Sequence, residues 1–242
     1  RKAVLLGNAA AHHAQAAELL ALANWIAEQT GATVGYLTEA ANTVGAQWVK
    51  AQPQSNGLNA AQMVAGGLKA AILLNTEPAF DTAAGQQALQ GLNKSEMVVT
   101  LSPFKANLDV SDVLLPIAPF TETSGTFVNA EGRVQSFHAV VKPLAETRPA
   151  WKVLRVLANL LGVQGVDYES SQDVLATAIG AATSEVPAQA LSNATQAAAQ
   201  VFGGAVTDPA VASIYQLDSI VRRATSLQLT ADARQAREGG AA

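Results

Sequence analysis

The sequence predicts an α/β protein built on a mostly parallel, doubly wound sheet with flanking helices, followed by a hairpin or long loop and a helical, partly irregular C-terminal region. Three observations carry that expectation. Between residues 3 and 116 short aliphatic runs alternate with amphipathic stretches, the pattern of βαβ units. The runs are apolar throughout instead of alternating, as strands covered by helices on both faces are. Beyond Leu115 the pattern changes to polar alternation around Glu131-Gly132, the signature of a hairpin turn. Together these describe a Rossmann-like sheet with an appended hairpin.

Strands are expected at residues 3–7, 34–37, 70–74, 97–101 and 113–115. A helix over residues 11–30 places Leu19, Leu22, Ala23 and Ile26 at helical spacing and ends at Gly31, where a left-handed cap belongs. Shorter helices are expected over residues 60–67 and 83–92, the second introduced by Asp81-Thr82 as a capping pair. Residues 121–137 read as the hairpin or long ordered loop. Pro149 opens a helix over residues 150–161 that stops at Gly162, and Ser170 with Asp173 forms a capping box before a helix over 172–182. Residues 181–204 are rich in Ala, Gln and Ser, the composition of a linker around a weak helix. Residues 215–237 carry Arg222, Arg223, Arg234 and Arg237 and read as a tail laid on a surface. The domain boundaries expected are 1–162 for the α/β domain, 163–206 for a helical and Ala-rich linker, and 207–242 for a tail packing on that domain or on other subunits.

Composition narrows the function. The 242 residues hold 15 Lys and Arg against 19 Asp and Glu, a net charge of −4, which excludes a nucleic-acid arm or a polybasic membrane patch. With 49% hydrophobic and 14% charged residues the chain buries a real core. It has no cysteine, so it supplies no disulfide, no thiolate nucleophile and no Cys-ligated zinc or iron–sulfur cluster. His12, His13 and His138 are too few and too scattered for a histidine metal site. The longest apolar run is broken by Pro116 and Pro119, far short of the roughly 20 residues a bilayer requires. Arg1 leads directly into a strand, so the chain reads as part of a longer protein.

Several chemistries find little support. Gly7-Asn8-Ala9-Ala10 lies where a doubly wound fold holds phosphate, but the dinucleotide fingerprint wants three glycines and this loop has one. Glu39 could bind a ribose hydroxyl, although a solvated loop carboxylate is the simpler reading. There is no Gly-x-Ser-x-Gly elbow, and Ser124 reads as a turn residue. Glu122 and Glu131 could face one another across the hairpin, yet carboxylates in a solvated loop need no catalytic role. The cluster from Thr121 to Gln135 is more informative, because it directly follows the carboxyl end of a parallel strand, where open α/β sheets bind ligands. Asn129 and Arg133 could donate to a phosphate or ring carbonyl, with Gly125 and Gly132 admitting close backbone approach. Equally, these residues could knit the loop together and dock it on a neighbouring domain, and composition leaves both readings open.

The segments Asp112-Val113-Leu114-Leu115-Pro116, Glu122-Thr123-Ser124-Gly125-Thr126-Phe127-Val128-Asn129, Glu131-Gly132-Arg133-Val134-Gln135 and Arg148-Pro149-Ala150-Trp151 resemble the molybdopterin oxidoreductase superfamily. Within it, Asn42-Thr43-Val44-Gly45-Ala46, Gly57-Leu58-Asn59-Ala60-Ala61 and the stretch from Tyr215 through Arg222-Arg223 to Thr230 are similar to the large iron–sulfur subunits of bacterial respiratory NADH:quinone oxidoreductase, complex I. That resemblance implies a C-terminal piece of such a subunit, whose 2Fe–2S and 4Fe–4S clusters belong to an N-terminal ferredoxin-like part outside this chain. It implies no catalytic residue, no cofactor and no metal ligand here. Glu122, Gly125, Thr126, Asn129, Glu131, Gly132, Arg133 and Gln135 would form a vestige of the loop that surrounds the pterin in molybdenum-containing relatives. Asp218, Arg222 and Arg223 become candidates for an interface. The implied partners are the other peripheral-arm subunits of complex I and the N-terminal iron–sulfur part, on the cytoplasmic side of the bacterial inner membrane, with neither nucleic acid nor membrane insertion. The rival implied by the same family is a molybdopterin-dependent enzyme such as a formate dehydrogenase, in which loop 122–135 binds the pterin. A self-contained nucleotide-binding module is a second rival.

Overall fold

A computed structural model describes residues 1–180, 183–187, 190–200 and 212–239, with Glu238 and Gly239 described by backbone alone. The chain divides into two compact units, each assembled from separated stretches: residues 1–51, 127–135 and 183–213 in the first, and 52–126, 136–182 and 214–242 in the second.

In the first unit β1 (Ala3–Leu6) leads into the single turn α1 (Asn8–Ala11), then α2 (Ala16–Thr30), β2 (Thr33–Tyr36) and α3 (Thr43–Trp48). β1 and β2 are parallel, in register from Ala3 opposite Thr33 to Leu6 opposite Tyr36. Helix α2 buries Ala21, Ala23 and Ala27 and ends at Gly31 with φ +66°, the left-handed cap its sequence predicts. The helix expected over 11–30 is broken between Ala11 and Ala16. His13 Nδ1 accepts the Gln15 N–H at 3.0 Å, and a side-chain acceptor that captures a backbone donor competes with the helical ladder.

The second unit contains α4 (Ala60–Val64), β3 (Ala70–Leu74), α5 (Pro78–Asp81), α6 (Gln86–Leu92), β4 (Met97–Ser102) and β5 (Val113–Pro116). Its strands form a parallel sheet in the order β3-β4-β5, with Ile72 opposite Val99 and Val99 opposite Val113. Ala71, Leu73, Leu92, Val98 and Val110 make its core, with Leu68 and Leu89 packed on it. Asp112 fixes the entry to β5: its carboxylate accepts the Val98 N–H at 2.7 Å while its own N–H donates to the Val98 carbonyl at 2.9 Å. A short 3₁₀ turn at Phe120–Glu122 precedes the hairpin of β6 (Gly125–Val128) and β7 (Val134–Phe137), and the division between the units runs through both hairpin strands. Then follow α7 (Ala150–Leu160), α8 (Ser171–Ile179) and, toward the C-terminus, α9 (Ile214–Leu217), α10 (Ser219–Arg223), α11 (Thr225–Gln228) and α12 (Ala231–Gly239).

The α/β class and the five parallel strands match the sequence reading, but the strands pair as two and three in place of one sheet. The expected capping pair Asp81-Thr82 does not cap the next helix. Gly85 with φ +53° stands at that position, and the Asp81 carboxylate turns back to accept the Glu77 N–H at 2.7 Å. Residues 215–237 fold into successive helical turns that are exposed or partly buried, apart from Ala233, which is fully buried. Parts of the Ala-rich stretch, and the boundary expected between residues 206 and 207, lie outside the described residues. Among the described residues no helix is long and apolar enough to cross a membrane.

Candidate functional site

The hairpin engages its own polar groups. Asn129 Oδ1 accepts the N–H groups of Glu131 at 3.1 Å and Arg133 at 2.9 Å, and the Gly132 N–H donates to the Asn129 carbonyl at 2.9 Å. An Asn closing its own turn in this way has no side-chain acceptor aimed outward. Thr126 Oγ1 lies 2.9 Å from Ser136 Oγ, and Glu122 Oε2 accepts the Leu144 N–H at 2.9 Å. At Gly125 a Cβ would sit 2.7 Å from Phe137 Cζ, so the close approach that glycine permits here is to an aromatic ring of the facing strand. Gly132 takes φ +88°, and its carbonyl accepts the Val186 N–H at 2.7 Å. Glu131, Arg133 and Gln135 remain exposed.

Asn42 supports the hairpin. Its Oδ1 accepts the Val128 N–H at 2.8 Å, within the first unit. The helix beyond makes room for it with Gly45, where a Cβ would fall 2.1 Å from that same oxygen. Within the hairpin, Asn129 Oδ1 is taken up by backbone N–H groups and Gly125 by the ring of Phe137, while Gly132 bonds both Asn129 and Val186. Among the described residues no three His, Asp or Glu gather as metal ligands.

At the carboxyl end of the first parallel pair, His12 Nε2 and Glu39 Oε2 are 2.8 Å apart, so the carboxylate considered for a ribose faces an imidazole. The same unit contains an open groove of about 680 Å³ between α2 and residues 193–199. Asn193 crosses its floor, donating to the Val34 carbonyl and accepting from Asn24 Nδ2, each at 2.9 Å.

The densest polar site lies in the second unit, where the C-terminal helices meet the segment following β3. Asp218 caps α10 by accepting the N–H groups of Ile220 at 2.9 Å and Val221 at 2.8 Å, which fixes the direction of Arg222 and Arg223 one turn on. Arg223 grips Glu77 in a two-pronged pair, Nη1 to Oε1 at 2.7 Å and Nη2 to Oε2 at 2.9 Å. Arg222 bridges Glu77 at 3.0 Å and Asp81 at 3.1 Å, and also donates to the carbonyl of Gln216. Each guanidinium lies over a ring, Arg222 over Phe80 at 4.7 Å and Arg223 over Phe104 at 4.3 Å. The side chains of Glu77 and Arg222 are only 10% and 12% exposed.

Burial pushes the Glu77 carboxyl upward, but the hydrogen bonds and charges of Arg223 and Arg222 outweigh it and hold the group below the ordinary carboxylate value. The bond to Glu77 raises Arg223 in turn. Two carboxylates meet two guanidiniums, so the site is electrically balanced, and Glu77 stays ionised at neutral pH. The strand end beneath is also specialised: Asn75 and Asn107 have φ of +49° and +55°, and Asn107 Nδ2 donates to the Thr76 carbonyl at 2.9 Å.

The structure thus places Asp218, Arg222 and Arg223 together, in contact with this chain's own second unit. Sequence reasoning had no claim on Glu77, Phe80, Phe104 or Asn193. Glu77-Pro78 shortly after a strand, at the ligand-binding end of a parallel sheet, was the available signal for the first. Asn193 carried none.

Comparison with known proteins follows this geometry. Residues 1–160 match the model of the molybdopterin oxidoreductase family. A 52-residue stretch is 46% identical to a putative formate dehydrogenase of Staphylococcus aureus, covering 22% of this chain and 5% of that protein. Over 67 residues the chain is 40% identical to the probable oxidoreductase YjgC of Bacillus subtilis, which is 28% of this chain and 7% of the relative. The matched stretches are thus a small fraction of either relative's length. The family match takes in both parallel sheets and the whole polar hairpin, and the chain belongs to the molybdopterin oxidoreductase family.

Proposed function

We propose that this chain is a C-terminal, non-catalytic segment of the large iron–sulfur subunit of respiratory NADH:quinone oxidoreductase, complex I. It supports a cluster-bearing part and neighbouring peripheral-arm subunits on the cytoplasmic side of the bacterial inner membrane. The observation that carries this reading is the inward commitment of the pterin-type hairpin: Asn129 and Gly132 are bound within it, and Phe137 covers Gly125. A loop so occupied acts as a packing element. With no cysteine, the chain contributes no thiolate to the 2Fe–2S and 4Fe–4S clusters, which this reading assigns to another part of the subunit. The exposed Glu131, Arg133 and Gln135 at the hairpin offer polar contacts to a neighbouring part.

A second reading, a molybdopterin-dependent enzyme of the formate dehydrogenase kind, is favoured by the name of the Staphylococcus aureus relative. Elemental analysis of the intact native protein separates them. The complex I reading expects iron with no stoichiometric molybdenum, and co-purification with NADH-oxidising activity. Molybdenum near one atom per chain would overturn it.

A further inference from the structure

In parallel α/β sheets the carboxyl ends of the strands are where ligands bind. At that end of β3 and β4 stand Glu77, Phe80, Asp81 and Phe104, and what fills the space between them is α10 of the same chain. The four residues have the chemistry of a receptor for guanidinium. Two carboxylates present their oxygens to planar N–H forks, and two rings offer flat faces to the delocalised cations. A lysine ammonium would satisfy the charge, but neither the two-pronged pair with Glu77 nor the stacking over Phe104.

We propose that α10 is an internal ligand: Arg222 and Arg223 occupy a guanidinium seat formed by Glu77, Phe80, Asp81 and Phe104, and this latch holds the C-terminal helices closed over the ligand-binding end of the β3-β4-β5 sheet. The latch is local by construction. Arg222 ties α9 to α10 through the carbonyls of Gln216 and Leu217, and Gln228 Nε2 in α11 donates to the carbonyls of Tyr215 and Val221 at 3.0 Å each. Residues 214–228 are therefore cross-linked to one another by side chain to carbonyl bonds, and their ion pairs to the segment after β3 run through the two arginines. Once the arginines leave the seat, the segment is released as a unit. The sheet keeps its own core of Ala71, Leu73, Leu92, Val98 and Val110, which none of the latch residues joins. This inference does not depend on assignment to complex I.

Hydrogen exchange of the native protein, followed by mass spectrometry on peptides covering 214–228 and 70–102, tests it. In Arg222→Ala/Arg223→Ala, residues 214–228 exchange about tenfold or more faster, while β3 and β4 stay within about twofold of wild type, as expected for sub-global opening. The Arg222→Lys/Arg223→Lys variant keeps the charge and opens to a similar extent. Ethylguanidinium, titrated until its effect saturates, restores protection in the alanine variant, whereas ethylammonium at equal ionic strength does not. Unchanged exchange in 214–228 overturns the latch. So does loss of protection in the sheet together with the tail, which makes these residues ordinary core. Rescue by both cations alike, or by neither, overturns the guanidinium seat.

Discussion

Glu77 shows how a single residue sets the condition under which the C-terminal helices are held. Its folded carboxyl lies below its ordinary value of 4.5, because the bonds from Arg223 and Arg222 outweigh burial. The sign of the linkage follows: a depressed folded value contributes stability that is complete above the unfolded value and is lost as pH falls through the folded one. Stability should therefore be flat near neutrality and decline on the acid side of the ordinary carboxylate range. Glu77→Gln leaves two guanidiniums short of a charge partner in a site that is largely buried, at a cost of about 3 kcal/mol at pH 7. The variant also loses part of the acid dependence. Urea titrations of both proteins from neutral to acid pH check this, and parallel acid limbs would refute the assignment. A second residue-scale outcome concerns Asn42 and Gly45. Asn42→Ala removes the acceptor of the Val128 N–H, costing about 1 kcal/mol. Gly45→Ala in the wild-type background drives a Cβ into Asn42 Oδ1 and destabilises. In the Asn42→Ala background the obstacle is gone, and the same substitution should become neutral or stabilising by up to about 1 kcal/mol through helix propensity. A double-mutant cycle reads this reversal of sign directly.

At the scale of elements, helix α6 and the end of α4 meet at Gly91. A Cβ there would stand 1.9 Å from the Val64 carbonyl oxygen, a backbone atom that cannot swing aside. Alanine is the better helix former by about 1 kcal/mol, so propensity alone predicts stabilisation. The clash forces the two helices apart, and overpacking of this kind costs about 1–3 kcal/mol. Gly91→Ala should thus lower the melting temperature; an increase would mean that the helices do not pack as described. Elements of this kind were legible where the signal was local. Ser170 and Asp173 form the capping box their spacing predicts, with Asp173 N–H to Ser170 Oγ at 3.1 Å and Ser170 N–H to Asp173 Oδ2 at 2.8 Å. The aliphatic runs became strands because a short β-rich run flanked by turn residues has few alternatives. What was not legible depended on partners distant in sequence. Asp81 looks like the cap of the following helix, but its carboxylate is taken by the Glu77 N–H and by Arg222, a residue far along the chain.

At the scale of the whole molecule, periodicity fixes that the strands are parallel but carries no information on which of them share a sheet. The five runs look alike, and their division into a pair and a triplet is settled by packing. The same limit hid the candidate site. Arg222 and Arg223 stood out as charges, while Glu77, Phe80 and Phe104 are unremarkable until the fold brings them together. The hairpin, by contrast, announced itself by composition, and the structure shows Thr126 bonded to Ser136 and Asn129 to the backbone of Glu131, Gly132 and Arg133. Because the bonds of Asn42 and those of Glu77 each lie within one compact unit, perturbations at the two should be separable. Asn42 bonds Val128 in the first unit, and Glu77 bonds Arg222 and Arg223 in the second, with no partner in common. The stability changes of Asn42→Ala and Glu77→Gln should therefore add to within about 0.5 kcal/mol in the double variant. The tryptophans provide separate reporters: Trp25 and Trp48 lie in the first unit and Trp151 in the second. With Trp151→Phe the fluorescence transition should respond to Asn42→Ala, and with Trp25→Phe/Trp48→Phe it should respond to Glu77→Gln. A coupling energy above about 1 kcal/mol between the two substitutions would show that the chain does not distribute its stability along the division that its contacts describe.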